Sequence, residues 1–484
     1  METGTHLGVL ALLFPVLLRD RFKRSPLDKP LLAWMLWNWL SVLWSAHPSS
    51  AIQAAWTLSD GVILFYIATN VRETALSDRV PLFFTAGVFF TLMAGIVQSG
   101  QPASYFPNTN LFSSYLLICV FIPWTAFLNE DKSLRAESEK IIVLGLAVLG
   151  TGLLLWSGSR TAAVIFFLVM GCALPRTSRN RAILRWLALA TAAAAACLFT
   201  TRWKNWTASS LPERLLWWEG AIRLFRDHPW VGSGIGNFGI LAPQYARTKT
   251  LHSLFAHSAP LQTLSETGVI GFGLAGFLVL SAFRWVRSAP RTALQRGLAL
   301  GLGAALLESL IDYNLSPPAH WMLFAWMLGL ASPAREPTPE NPAMPGTGLS
   351  NSVRTVLVAA FLLLGADLST RPWRAHVWAR RGFARLDAGT LAEVPEDLRR
   401  ARQLDPTSLE TLALDYRWQT RLARGEGPSH LEEVEAELNQ WRRIPATGML
   451  WKALADLWEQ RGEKDRAARC RKTAAAVNPL MVPS

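Results

Sequence analysis

Apolar runs long enough to cross a bilayer recur through the first three quarters of the chain. Their cores lie near 5–18, 30–46, 54–70, 80–98, 111–128, 141–157, 161–175, 186–200, 267–285, 297–312, 319–333 and 353–367. A spanning helix needs about 20 mostly apolar residues, and shorter cores are tolerated beside anchoring aromatics. The pattern therefore predicts an all-α, polytopic membrane bundle of about 12 spans over residues 1–367. One long segment, about 201–262, breaks the series. The first run is short and lacks the basic flank of a signal peptide; it is read as the remnant of an N-terminal helix pair.

From about 368 the pattern becomes that of a polar, Ala/Leu/Arg/Glu-rich helical domain, 368–484. Two stretches in it share a spacing. Trp378, Gly382, Gly389, Ala401 and Pro406 are matched at the same offsets by Trp451, Ala455, Gly462, Ala474 and Pro479, with Ala467 added. Such spacing resembles the tetratricopeptide helix-turn-helix repeat, in which small residues let paired helices approach and Pro ends the second helix. The intervening 407–450 would be a degenerate third unit, and an unrelated helical bundle is the alternative. A stack of this kind binds a protein partner and performs no chemistry.

Charge fixes an expected orientation. Of 28 basic residues before the tail, 20 fall in loops on one side if the helices alternate, and the positive-inside rule makes that side cytoplasmic. Seven of the other eight lie in 201–262, and the last is Arg160. The long loop and the tail are then periplasmic, in a bacterial inner membrane. The net charge of +13 is thus a topology signal rather than a sign of nucleic-acid binding. Charged residues make up only 17% of the chain, which argues against a soluble multi-domain enzyme. Four Cys, three of them in apolar runs, exclude a disulfide framework and a Cys-rich zinc site.

Candidate chemistry concentrates in the long loop. Ser210-Leu-Pro-Glu213 is a capping-box pattern that opens a helix over Glu213–Arg226. Its apolar stripe is Leu215, Trp218, Ile222 and Phe225, and Arg214, Glu219, Arg223 and Arg226 lie off it. His228-Pro229 ends the helix. The glycine-rich turn 231–238 follows, and a nucleotide-binding reading of it fails because no strand precedes it. His257 stands just before the ninth span, where an imidazole with an ordinary pKa of about 6.5 suits general-base work. His252 and His257 are five apart, off the spacing of a helical zinc pair, so no metal is expected.

His257-Ser258, nine residues, then Gly268-Val-Ile-Gly271 resembles the signature of the O-antigen ligase and polymerase family. The order of Arg214…Trp218, His228-Pro229, Gly232–Phe238 and His257 is similar to that family too. So are Phe106-Pro-Asn108-Thr-Asn110, Ser159-Arg160 and the turn Leu310-Ile-Asp312-Tyr-Asn-Leu-Ser-Pro-Pro318. The likeness covers roughly 100–330. One departure is that the long loop follows the eighth predicted span where the ligases place it after the ninth; one missing N-terminal helix and one added helix before the tail account for it.

The resemblance implies an all-helical, metal-independent glycosyltransferase without cofactor, whose donor is an undecaprenyl-diphosphate-linked glycan. Such transfer develops negative charge on the leaving diphosphate, which guanidinium groups stabilise in place of a metal. Arg160 and Arg214 are the candidates, and His257 is the base that takes the acceptor's proton. For Arg160, snorkelling to the interface is the alternative. Asn108, Asn110 and Asn237 line the substrate site by resemblance. Tyr245 and Arg247 are placed to reach sugar or phosphate, although their sequence setting does not separate them from surface residues. Lipid A core, another lipid-linked repeat or a protein hydroxyl all fit as acceptor, with ligase-type transfer preferred from the His signature. The rival readings are a lipid-linked glycan transporter, which would carry paired inverted repeats, and an assembly scaffold working through its tail.

Overall fold

The computed structural model describes residues 25–71, 108–128, 137–173, 211–245, 253–288, 292–331, 351–405, 408–426, 428–440 and 447–477, with 6–10 and parts of 85–96. All the regular structure among the described residues is helical. The membrane part comprises α1 (Asp28–Leu40), α2 (Pro48–Val71), α3 (Thr109–Leu128), α4 (Glu137–Trp156), α5 (Arg160–Ala173), α6 (Leu211–Asp227), α7 (Ala259–Ser288), α8 (Ala293–Ser309) and α9 (Pro318–Ala331). Four described helices are long and apolar enough to cross a membrane, namely Pro48–Asn70, Thr109–Leu128, Glu137–Trp156 and Ala259–Arg287. The span expected near 186–200 lies outside the described residues, as do parts of those near 5–18 and 80–98.

Helix α3 is the axis of the bundle, with most of its side chains buried. Lipid tails are as apolar as the helices, so close association must come from packing rather than from the hydrophobic effect. Small residues provide it. Gly297 and Gly301, four apart on α8, let its backbone settle onto α3, where an added Cβ at Gly301 would stand 2.0 Å from the Ile118 carbonyl oxygen. On the other side of the bundle Gly329 of α9 meets the Phe65 carbonyl of α2, and Gly61 of α2 faces the indole of Trp321. That indole donates to the Leu58 carbonyl at 3.0 Å. The buried carboxylate of Asp60 in α2 is paired with His6.

Helix α10 (Asn351–Ala388) carries the twelfth expected span and runs without interruption past residue 368, with Pro372 inside it. Composition thus changes where the backbone does not. Beyond it come α11 (Val394–Leu404), α12 (Leu409–Glu426), α13 (Pro428–Gln440), α14 (Gly448–Gln460) and α15 (Lys464–Val477). Neighbours pack as α10 with α11, α12 with α13 and α14 with α15. The first and last pairs turn at Gly389 and Gly462, with φ of 78° and 84°, the glycines at equal offsets from Trp378 and Trp451. Ala401, Ala455, Ala467 and Ala474 are buried in these pairs, and Gly382 lets Leu414 of α12 approach α10. The tail touches the membrane part where the Ser49 hydroxyl at the start of α2 donates to Asp405 Oδ2 at 2.5 Å.

Candidate active site

The long loop contains a 17-residue helix, α6, close to the one expected, but its packed face is displaced by one residue. Leu215 and Ile222 of the anticipated stripe are exposed, at 54% and 38%. Arg214, Ala221 and Leu224 are buried instead, and Trp217 packs with Ala221, Leu224, Phe238, Leu241 and Ala256. The physical reason lies in Arg214. A buried cation needs a compensating anion and acceptors, and the turn after α8 supplies both. Arg214 Nη1 donates to the Ile311 carbonyl at 2.7 Å and Nη2 to Asp312 Oδ2 at 2.8 Å.

Asp312 then reaches a second partner. Its Oδ1 lies 3.2 Å from His257 Nδ1, a close contact off the hydrogen-bond line. One carboxylate therefore joins the guanidinium of α6 to the imidazole before α7. Burial alone would push the Asp312 carboxyl up, but the His257 ring and the Arg214 guanidinium hold it below the usual carboxylate range. His257 itself is held hard. Its φ of 52° is the only positive value at a non-glycine among the described residues, a conformation that persists only where surroundings impose it. Trp218 Nε1 donates to its carbonyl at 3.2 Å, and the Trp217 ring stacks on its ring. The Tyr313 ring meets it edge-on, and Phe255 stacks on Tyr313 in turn. The same tyrosine accepts a hydrogen bond from Asn108 Nδ2 at 3.0 Å. The 310–317 turn thereby gathers Asn108, Arg214 and His257.

The glycine-rich turn serves as a brace. Helix α7 is broken at Gly268 (φ 67°, ψ −172°), and the chain at 229–234 fills the break. Pro229 O accepts from Val269 N at 2.9 Å, Ser233 N donates to Ser265 O at 3.1 Å, and Gly234 N donates to Glu266 O at 2.8 Å. The approach is too close for side chains on either strand of contact. A Cβ at Gly268 would stand 2.2 Å from the Trp230 carbonyl oxygen, and one at Gly232 2.3 Å from the Glu266 backbone. Buried Glu266 ties the brace to the histidine. Its Oε1 accepts from Phe238 N at 3.0 Å and from Gln262 Nε2 at 2.7 Å, and Gln262 Oε1 accepts from Ala256 N at 2.7 Å. Gly268→Ala is accordingly expected to loosen the loop. In detergent it should lower the melting temperature and speed limited proteolysis within 211–245, whereas Gly273→Ala, with open space at its Cβ, should match the wild type.

The remaining expected residues make no direct contact with Asp312 or the His257 ring among the described residues. Arg160 is exposed at the first position of α5 and has no ion-pair or hydrogen-bond partner among the described residues. Asn110 uses its carbonyl to accept from the Ser113 and Ser114 hydroxyls. Asn237, expected to meet substrate, is fully buried and its amide is occupied by the protein. Nδ2 donates to Ser45 Oγ at 2.6 Å and to Gly234 O at 3.0 Å, while Oδ1 accepts from His47 N at 3.1 Å. It fastens the loop to the start of α2. The Tyr245 hydroxyl donates to Asp227 at the end of α6, and burial together with that carboxylate pushes the phenol up. His228 is exposed. Arg247 and His252 lie outside the described residues. Sequence assigns no role to Trp217 or Glu266, and it brings in Asp312 and Tyr313 only as part of the family-like turn 310–318, where an acidic residue closing an apolar run is the further signal.

Residues 145–276 match the family model described as O-Antigen ligase. That stretch contains Arg160, Arg214 and His257 and stops short of Asp312. A curated O-antigen ligase of Pseudomonas aeruginosa is 27% identical over 304 residues, covering 62% of this chain and 68% of that relative. The resemblance to the O-antigen ligase family carried by the loop motifs is thereby borne out.

Proposed function

We propose that the chain is an inner-membrane glycosyltransferase that moves an undecaprenyl-diphosphate-linked glycan onto an acceptor hydroxyl at the periplasmic face, with lipid A core as the acceptor. The observation that carries the reading is the bridge made by Asp312 between Arg214 and His257. The carboxylate 3.2 Å away favours the tautomer with the proton on Nδ1 and leaves Nε2 as a proton acceptor, and a contact of this kind tightens in a substrate complex. The acceptor hydroxyl gives its proton to Nε2 while its oxygen attacks the anomeric carbon, and the diphosphate leaves with the bonding electrons. Arg214 spends two of its five donors on the turn, and its buried Nε has no partner among the described residues. Its charge lies beside the reacting centre, where developing negative charge is stabilised. Arg160 contributes a second guanidinium from the start of α5, and no metal or cofactor is invoked. Polymerisation of lipid-linked repeats and transfer to protein hydroxyls use the same chemistry with another acceptor. The tail, as a tetratricopeptide-like stack, recruits a periplasmic protein.

Purified protein in detergent, given undecaprenyl-diphosphate-linked glycan and lipid A core, should form the conjugate without any ion gradient. Mass spectrometry of surface lipids and periplasmic proteins, with and without the gene, then shows which acceptor loses its sugar. Glycan that crosses a reconstituted bilayer but is never transferred would establish a transporter instead.

A further inference from the structure

Trp217 lies against the centre of this cluster, yet the proton transfer described above makes no use of it. Its ring lies on that of His257, with centroids 4.3 Å apart and planes inclined by only 19°. The groups against the imidazole are Asp312 and Tyr313 from the turn after α8 and Trp217 from α6, while Arg214 holds the other oxygen of Asp312. Arg214 and Trp217 are three apart and share the packed face of that helix.

A buried indole ordinarily finds an acceptor for its N–H. The Trp217 Nε1 is buried without one among the described residues, so the ring is held in place for its face. The face of an indole is the strongest aromatic partner for a cation. A neutral imidazole gains little from that field, whereas an imidazolium gains a good deal. The contact therefore strengthens as His257 accepts a proton, and an interaction stronger in the transition state than before it raises the rate.

We propose that Trp217 is a positioning residue that stabilises the imidazolium form of His257 during transfer. The inference rests on the reading of His257 as the base. In that step the acceptor O–H bond breaks and its proton passes to Nε2. The oxygen's electron pair forms the bond to the anomeric carbon, and the carbon–oxygen bond to the diphosphate breaks with its pair departing on phosphate.

The test replaces Trp217 in the full-length protein, by site-specific incorporation, with tryptophans bearing increasing numbers of ring fluorines. Fluorine drains the negative face while leaving size and stacking nearly unchanged. With undecaprenyl-diphosphate-linked glycan and lipid A core as substrates, kcat should fall steadily along the series, to a total loss of about 3- to 30-fold. KM for the acceptor should hold, since the interaction is made after binding. Trp217→Phe should retain most of the rate and Trp217→Leu should lose at least as much as the most fluorinated ring. A kcat that stays flat across the fluorine series overturns the proposal, because a packing role would give that result. If His257→Ala protein still transfers glycan, the base assignment itself fails and takes this inference with it. The two failures are thus told apart by which variant retains activity.

Discussion

Asp312→Ala is expected to abolish transfer and to destabilise the protein by about 3–5 kcal/mol, the usual result of removing one partner from a buried ion pair. Arg214 is only 8% exposed, and in the variant it would keep the Ile311 carbonyl but lose its counter-ion. Asp312→Asn separates the two effects. The amide keeps the volume and an oxygen for Arg214, but its NH₂ facing His257 Nδ1 favours the tautomer with the proton on the wrong nitrogen. Loss of orientation of this kind costs about 10⁴-fold in the analogous arrangement of serine hydrolases. Asp312→Asn should therefore insert and remain folded while losing nearly all transfer. The acid side of the stability profile gives a second readout. The carboxyl is held below its ordinary value in the folded protein, so its contribution is complete above the unfolded value of about 3.9 and disappears as pH falls through the lower folded one. Thermal unfolding of the wild type should lose that contribution below about pH 4, and Asp312→Ala should show none of it. Equal unfolding curves for the two proteins across that range would show the pair to be energetically idle.

Sequence and structure agree where the signal is periodic or local. The apolar runs of 111–128 and 141–157 became α3 and α4, the former continuing through Pro123 because most of its side chains are packed in the bundle. The break at Gly268 could be anticipated only as a glycine in a motif. Its partner, the Trp230 carbonyl, arrives from nearly forty residues away in the chain. Helix α6 shows why the face was misjudged. Leu215, Trp218, Ile222 and Phe225 form an apolar stripe, but Arg214, Trp217, Ala221 and Leu224 form another one residue away. Periodicity ranks the first higher because it contains no charge. The fold selects the second because Asp312 and the Ile311 carbonyl wait there. Such a choice depends on a contact separated by about a hundred residues, which no window of sequence contains. Asn237, a polar residue in a conspicuous motif that the resemblance places at the substrate site, depends on equally distant contacts. Its amide instead ties the loop to Ser45 and His47 at the start of α2.

His257→Ala should reduce transfer by about 10²- to 10⁴-fold, the usual worth of a positioned general base, while insertion and the protease resistance of the loop remain near wild type. The loop does not depend on the imidazole for its place. Trp218 holds residue 257 through the backbone carbonyl, and Gln262 holds Ala256 through its amide nitrogen. Truncating the ring leaves a slot between Trp217 and Tyr313, walled on another side by Asp312. Free imidazole has the shape and the aromatic face to enter that slot, and millimolar imidazole should restore part of the lost rate. His257→Gln fills the slot with a side chain that takes up no proton at neutral pH, so it should be as inactive as alanine and resist rescue. The contrast between the two variants isolates proton transfer from packing. Full surface-glycan attachment in cells carrying either variant would remove His257 from the chemistry, and Asp312 would then be left as a structural tie for Arg214.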